Sequence, residues 1–284
     1  MSSVLLVTCA TWPAGEPAAP VLDRVLVERG IEARWVSWDD PNVDWSAADL
    51  VAVRSTWDYV ARPTVFLDWA RRADECTRLL NGAGVFAWNV DKAYLAGLGH
   101  LEQGLPVVPT ELASDADEIA DGVRRFGSAV VKSRIGASGI GVVVADRPDD
   151  ARLPGLGHGP WVVQPLVESV RTEGETSVFV LDGRAVSQVD KLPAGDEIRV
   201  HEEFGGSSRP VPLREEAADL ARQGMEAAER VLGVRLDYGR VDMMRLADGR
   251  LAVSELELIE PGLYLDVLPE NAAPFADLLA ARLS

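Results

Sequence analysis

The sequence "VVKSRIGASGIGVVVA" at residues 130–145 places a lysine directly before a glycine-rich loop, between two apolar runs. Both runs are typical of strands, so the segment predicts a strand, a loop and a second strand. The Walker P-loop has its lysine after the glycines, and both it and the dinucleotide fingerprint require a following helix, so neither motif fits. Loop amides would still approach phosphate oxygens closely, with Lys132 as a fixed cation. The candidate loop contacts are Gly136, Ser138, Gly139 and Gly141. A plain glycine-rich hairpin with a surface lysine explains the same pattern.

Strand and helix patterns alternate before this segment, which predicts a small parallel α/β domain. After it, strand patterns follow one another and only one long helix intervenes, which indicates an α+β layout. The predicted elements include a strand at 4–8, helices at 20–30 and 64–80, a strand at 84–89, a helix at 91–104, a short strand at 105–110 and a helix at 213–233. We therefore predict three parts, at residues 1–90, 91–167 and 168–284.

Composition excludes several classes of function. Lys and Arg number 28 against 45 Asp and Glu, a net charge of −17, which argues against nonspecific nucleic-acid binding because that depends on basic side chains. The two cysteines form no CxxC pair and the three histidines lack ligand-like spacing, so no zinc site or disulfide framework is expected. No apolar run approaches the roughly 18 residues of a membrane span, and the N terminus is typical of a strand rather than a signal peptide. We expect a cytoplasmic protein without a nucleic-acid or membrane partner.

A second predicted hairpin, "RVDMMRLADGRLAVSELELIE" at 240–260, carries three carboxylates. The Asp-Gly pair at 248–249 is a preferred two-residue turn. With that turn Asp242 lies opposite Glu255, and Glu257 points to the same face. Facing like charges require a compensating cation, and carboxylate oxygens suit Mg²⁺. A solvated acidic strand face is the alternative, and a three-residue loop would shift the register and separate Asp242 from Glu255.

A nucleotide site also needs a slot for the base and a partner for the ribose. The strand pattern "WVVQPLVESV" runs into a proline, where the backbone can leave the sheet and hydrogen-bond an adenine edge. The residues of this slot would be Gln164, Pro165, Leu166 and Val167. Either Glu168 or Glu175 would hold the ribose hydroxyls. Lys92 is a second phosphate cation, and Lys191 and Arg199 would reach the transferred phosphate or the substrate carboxylate. For each of these side chains the alternative is an ordinary solvated charge at a strand end.

The order of these features resembles the ATP-grasp superfamily over residues 88–262. The matching motifs are "WNVDK" with Lys92, "VVKSRIGASGIGV" with Lys132, "VVQPLV" as the adenine hinge, and "RVD…SELE" as the magnesium-binding end. The resemblance implies an N-terminal α/β domain and two α+β subdomains that clasp ATP between them. It also implies Mg²⁺ held by Asp242, Glu255 and Glu257. Many members have Asn where this chain has Glu257, which is a departure from the pattern.

The resemblance further implies an enzyme that activates a substrate carboxylate as an acyl phosphate and lets a nucleophile displace the phosphate. Lys132 and Arg199 would stabilise the transferring phosphate. Within the superfamily the chain resembles the glutathione-synthetase-like branch. The stretches "RSTWDY" (54–59), "EIRVHEEFGG" (197–206) and "LELIEPGLYL" (256–265) are similar to cyclo-ligases that close O-ureido-D-serine to D-cycloserine.

The N-terminal part would then contribute to the substrate site. Arg54, Ser55 and Asp58 lie at the end of a parallel strand, where open α/β sheets place ligands. The alternative is a helix-entry turn with Trp57 packed in the core. Two other functions stay open: an intermolecular carboxylate–amine ligase that makes a dipeptide-like product, and a nucleotide-binding module without catalysis. The substrate would be a small amino-acid-like molecule, and the sequence leaves open whether the protein is a monomer or a homodimer.

Overall fold

A computed structural model describes residues 2–101, 104–137, 139–156 and 159–284. Ser138, a predicted phosphate contact, lies outside the described residues. The N-terminal sheet is parallel, with strand order β2-β1-β3-β4. Its two central strands are apolar and buried on both faces because helices cover the sheet. The strands are β1 (Ser2–Thr8), β2 (Ile31–Ser37), β3 (Leu50–Ser55) and β4 (Arg78–Leu79), and the helices are α1 (Pro20–Glu28), α2 (Pro63–Cys76) and α3 (Gly82–Asn89).

Two secondary-structure predictions in the N-terminal part are wrong. The predicted strand at 84–89 is part of helix α3, which begins at Gly82 after Asn81; both residues are in the left-handed region, with φ of 80° and 62°. A short continuous apolar run does not distinguish a buried helix from a strand by periodicity. The predicted helix at 64–80 stops at Cys76. Its last residues instead form β4, which pairs with β3.

The middle sheet is antiparallel, with order β5-β8-β6-β7. Val131 pairs with Val143, so the lysine–glycine segment is the predicted strand–loop–strand hairpin. The predicted strand at 105–110 is reduced to one isolated bridge, between Val107 and Val253. Helix α4 (Tyr94–Leu101) precedes this sheet. Its strands are β5 (Glu111–Ala113), β6 (Ala129–Ser133), β7 (Val143–Ala145) and β8 (Trp161–Pro165), and helix α5 (Ala116–Phe126) lies between β5 and β6 in the chain.

The last sheet is also antiparallel, with order β11-β10-β9-β12-β13. Helix α6 packs on one of its faces, where Leu220 and Met225 join the core. No described helix is both long and apolar enough to cross a bilayer. The elements are β9 (Glu175–Leu181), β10 (Arg184–Leu192), β11 (Ser207–Val211), α6 (Glu215–Leu232), β12 (Tyr238–Arg245), β13 (Leu251–Glu257) and α7 (Ala272–Leu283).

The first and last sheets share their hydrophobic cores. Helix α7 returns to the N-terminal part, where Phe275 packs in one cluster with Leu22 and Leu26 of α1. A second cluster joins Phe86 of α3 to Val241 of β12. The middle sheet and α5 have a core of their own. Residues of the first and last predicted parts therefore pack as one body, against which the glycine-loop hairpin is set.

Candidate active site

The carboxylate hairpin reaches its register by a different route from the predicted one. Its turn is a three-residue loop, because the Leu246 amide donates to the Arg250 carbonyl over 2.8 Å and Gly249 has a φ of 85°. The predicted two-residue turn is therefore wrong. A bulge then compensates, since the pairing shifts by one residue beside Asp242 and brings Asp242 opposite Glu255. The predicted facing of these two carboxylates is confirmed.

Asp242 is enclosed by protein donors. Two guanidinium nitrogens of Arg240, Nε and Nη2, each donate to the Asp242 carboxylate over 2.9 Å. The Lys191 amine donates to it over 3.1 Å and the Ser177 hydroxyl over 2.6 Å. Burial opposes ionisation of Asp242, but the charges of Arg240 and Lys191 outweigh it and hold its pKa below the usual value. The repulsion expected between the facing carboxylates is thus offset in part by the protein's own cations.

Glu255 joins this hairpin to the glycine loop. The Lys92 amine lies 3.0 Å from its carboxylate and also donates to the carbonyl oxygen of Gly136. Burial opposes ionisation of Glu255, but Lys92 and Lys132 outweigh it and lower its pKa. Burial lowers the pKa of Lys132 although Glu255 attracts it. Two lysines, one loop glycine and one carboxylate from three separate segments therefore meet at one place, as the resemblance implies.

Glu257 and Glu175 flank the same cluster. Glu257 contacts the Arg240 guanidinium, and burial raises its pKa to about 7. Glu175 lies 2.9 Å from the Lys191 amine, and burial raises its pKa. The ion pairs of Lys191 with Asp242 and Glu175 outweigh burial, so its own pKa is raised.

The carboxylates suit Mg²⁺ chemically, because the whole donor set is oxygen. Glu255 and Glu257 expose 28% and 30% of their side chains to the cavity, whereas Asp242 exposes only 5%. Among the described residues no three acidic, histidine or cysteine side chains are gathered as a ready-made metal cluster. Glu255 and Glu257 are therefore the more exposed members of the predicted set, while Arg240, Lys191 and Ser177 bind the Asp242 carboxylate.

The glycine loop also approaches Arg199. A Cβ atom on Gly139 would lie only 3.2 Å from Cδ of Arg199, and Gly139 has a φ of 67°. Arg199 pairs with Glu197, and its guanidinium carbon lies 3.5 Å from the centre of the Phe204 ring. Arg199 and Gly139 both line the cavity. A Cβ atom on Gly141, by contrast, would have no atom of the described residues within 4 Å.

The predicted base slot lies at an apolar end of the cavity. The wall there combines the end of β8 with three apolar side chains from other segments: Gln164, Pro165, Leu166, Val167, Val108, Val130 and Met244. Ser254, the bulged residue, also lines this cavity, and its buried hydroxyl has no hydrogen-bond partner within the described ranges. Of the two ribose candidates, Glu175 lines the cavity, while Glu168 is exposed and pairs with Arg171.

The N-terminal residues contribute differently from the prediction. Arg54 and Ser55 are fully buried, which corrects the predicted direct contact with substrate. The Arg54 guanidinium is held 2.9 Å from the Glu16 carboxylate, and the Ser55 hydroxyl lies 2.7 Å from that of Thr8. Asp58 does line the cavity, where it accepts a 2.8 Å hydrogen bond from the Trp38 indole.

Several site residues escaped the sequence reasoning. Arg240 alternates with Asp242 along one strand, so the two-residue period was a usable signal that they share a face. Glu16, Tyr59 and Glu260 lie in irregular segments, where no periodicity indicates the direction of a side chain. All of these side chains line a single cavity of about 820 Å³, within the usual range of small-molecule sites.

Two lysines and a glycine loop that face a carboxylate hairpin across this cavity define an ATP-grasp ligase. The family model for the N-terminal domain of D-cycloserine synthetase DcsG matches residues 4–81. The cycloserine biosynthesis protein DcsG of Streptomyces lavendulae is 33% identical over 279 residues, covering 89% of this chain and 90% of that protein. The chain belongs to the DcsG family of ATP-grasp ligases.

Solved structures agree with this assignment. The crystal structure of D-cycloserine synthetase DcsG superposes with a TM-score of 0.87 at 31% identity and covers 100% of both chains. The ATP-grasp ligase PsnB, in complex with a phosphomimetic variant of its minimal precursor, Mg and ADP, has a TM-score of 0.69 at 17% identity over 100% of this chain and 99% of that one, and shares the fold. A glutathione synthetase of Prochlorococcus marinus is 26% identical over 234 residues, covering 78% of this chain and 68% of that protein.

Proposed function

We propose that this chain closes O-ureido-D-serine to D-cycloserine in a reaction that consumes ATP and requires Mg²⁺. The main support is that cations and carboxylates from separate segments face one cavity, in a chain similar from end to end to DcsG. A pure nucleotide-binding module has no need for the buried charge network around Asp242. In the described part of the chain the histidine that lines this cavity, His201, has no hydrogen bond to a serine or cysteine, which agrees with chemistry driven by positioning and charge.

Three parts of the cavity wall bind the base, the ribose and the phosphates of the nucleotide. The apolar end near Val108 and Met244 accepts the base, and Glu175 holds the ribose. Lys92 and Lys132 neutralise the phosphates beside the glycine loop. Mg²⁺, held by Glu255 and Glu257, would neutralise phosphate oxygens during transfer.

The reaction then needs two displacements. An oxygen of the substrate carboxylate takes the γ-phosphoryl group from ATP, which leaves ADP and an acyl phosphate. The nitrogen bonded to the side-chain oxygen attacks the activated carbonyl carbon, the five-membered ring closes and phosphate departs. One water releases the carbamoyl group from that nitrogen as carbon dioxide and ammonia. Arg199 and Lys132 stabilise the negative charge that develops on the phosphoryl group and on the carbonyl oxygen.

ADP formation with single substrates tests this proposal. We expect O-ureido-D-serine alone to support turnover, with D-cycloserine detected by mass spectrometry. If it yields no ADP while a pair of amino acids does, the chain is an intermolecular ligase. A Lys132→Met variant should lose most turnover, whereas Arg147→Gln, at an exposed arginine outside the cavity, should keep it. Full ATP turnover by Lys132→Met would contradict the assigned role of the glycine-loop hairpin.

A further inference from the structure

The chain that follows β13 is irregular, yet side chains from other segments hold its backbone almost residue by residue. We call residues 258–263 the anchored segment. The Leu258 amide donates to Asn89, and indole, guanidinium, phenol and amide groups donate to successive carbonyls. Their distances are 2.9 Å from Leu258 N to Asn89, 2.8 Å from Asn81 to Leu258 O, 2.8 Å from Tyr238 to Ile259 O, 3.4 Å from Trp57 to Glu260 O, 2.7 Å from Arg54 to Pro261 O and 2.6 Å from Leu263 N to Glu16. These hydrogen bonds hold the backbone of the anchored segment in place, as a supporting shell does at a functional site.

Glu260 is the residue that this segment presents to the cavity. It is 8% exposed and lines the cavity wall. Its carboxylate is a close neighbour of Tyr59, which is itself buried and also lines the cavity. Trp57, whose indole anchors the Glu260 carbonyl, packs edge-on against Trp12 at 5.3 Å, and both rings line the same end of the cavity.

Glu260 differs in its partners from the other acids that are buried or half-buried in the cavity wall. Glu16 is paired with Arg54, Glu255 with Lys92, and Glu257 with Arg240. Within the described residues, no lysine or arginine lies within ion-pair distance of Glu260. A buried carboxylate without a cation is costly. Burial and the neighbouring Glu257 charge accordingly raise the pKa of Glu260 to about 8.

We propose that Glu260, with Tyr59, binds the α-ammonium group of the amino-acid substrate. This inference rests on the proposed function. The substrate ammonium group would be the cation that pairs with the Glu260 carboxylate. Held as an ammonium ion, the α-nitrogen has no lone pair and cannot attack the acyl phosphate of a second substrate molecule. The nitrogen that closes the ring is then the sole substrate nucleophile, so this contact favours cyclisation over dipeptide formation.

A chemical double-mutant cycle tests the contact. Wild type and Glu260→Gln are assayed with O-ureido-D-serine and with its analogue in which hydrogen replaces the α-amino group. Loss of a charged hydrogen bond predicts a KM for O-ureido-D-serine roughly 10- to 100-fold higher in Glu260→Gln, whereas the two enzymes should have similar KM values for the analogue. The KM for ATP and the melting temperature report on the fold. Glu270→Gln, an exposed acid outside the cavity, serves as the matched control.

Tyr59→Phe gives a second test that keeps the carboxylate in place. It should raise the KM for O-ureido-D-serine by a smaller factor and leave the KM for ATP unchanged. Losses from Glu260→Gln that are equal for the two substrates would overturn the ammonium contact. Absence of wild-type turnover with O-ureido-D-serine would instead overturn the proposed function, so the two failures are distinguishable.

Discussion

Asp242 and Glu255 face each other across β12 and β13 because two irregularities of the hairpin cancel. The three-residue loop at Gly249 moves the pairing by one residue, and the bulge at Ser254 moves it back. Bulges are frequent beside active sites, where they redirect a side chain. Here the bulge places one carboxylate against Arg240 and Lys191 and the other against Lys92.

The two facing carboxylates should respond differently to loss of charge. Asp242→Asn leaves the buried cations Arg240 and Lys191 short of a partner and should destabilise the protein by about 3–5 kcal/mol. Glu255→Gln should keep the melting temperature close to wild type and raise the Mg²⁺ concentration needed for ADP formation, because this side chain opens to the cavity. Thermal melts and Mg²⁺ titrations measure both effects. If Asp242→Asn instead raises the Mg²⁺ requirement without loss of stability, and Glu255→Gln lowers the melting temperature, then Asp242 rather than Glu255 is the Mg²⁺ ligand.

Arg54 should behave as a structural residue. Arg54→Met strands the buried Glu16 carboxylate and removes the bond to the Pro261 carbonyl, so we expect a loss of about 3–5 kcal/mol in the free energy of unfolding. Denaturant titration measures this loss. The double variant Arg54→Met/Glu16→Gln should recover part of it, since no buried charge is left unpaired. A raised substrate KM with an unchanged unfolding free energy would restore the direct substrate contact.

The glycine loop offers a matched pair of substitutions. Gly139 and Gly141 have φ values of 67° and 72°, so alanine at either position should cost about 1–2 kcal/mol of local strain. Only the Gly139→Ala methyl group meets Arg199. We therefore expect a larger fall in kcat for Gly139→Ala than for Gly141→Ala, measured as ADP formation at saturating ATP. Equal falls in kcat would exclude a role for the Gly139–Arg199 contact.

Glu260 should make stability depend on pH. Its pKa is about 8 in the folded protein against an ordinary value of 4.5. Between these values the folded state binds more protons than the unfolded state, so stability falls as pH rises. Glu260→Gln removes this effect. Its free energy of unfolding, measured by denaturant titration, should match that of the wild type near pH 5 and exceed it at pH 8 by on the order of a few kcal/mol. A difference that does not change with pH would contradict the raised pKa.

The sequence by itself determined the kind of protein. The order of Lys92, the glycine loop around Lys132, and the acidic hairpin resembles the ATP-grasp superfamily, and strand periodicity assigns alternate residues of the hairpin to one face. The same rule predicted that Glu257 shares its face with Glu255. The comparisons with known proteins confirm the fold and the family.

Tertiary structure decided which of these side chains are free to act. Arg54 lies near the carboxyl end of a parallel strand, in the position of a substrate contact, yet in the folded chain it is a buried partner of Glu16. The Arg240 guanidinium binds Asp242, and no lysine or arginine among the described residues pairs with Glu260. The Arg54–Glu16 pair joins residues far apart in the sequence, and Glu16 and Glu260 lie in irregular segments, where no periodicity specifies the direction of a side chain. These pairings depend on how shared cores bring the first and last sheets together, which only the folded chain determines.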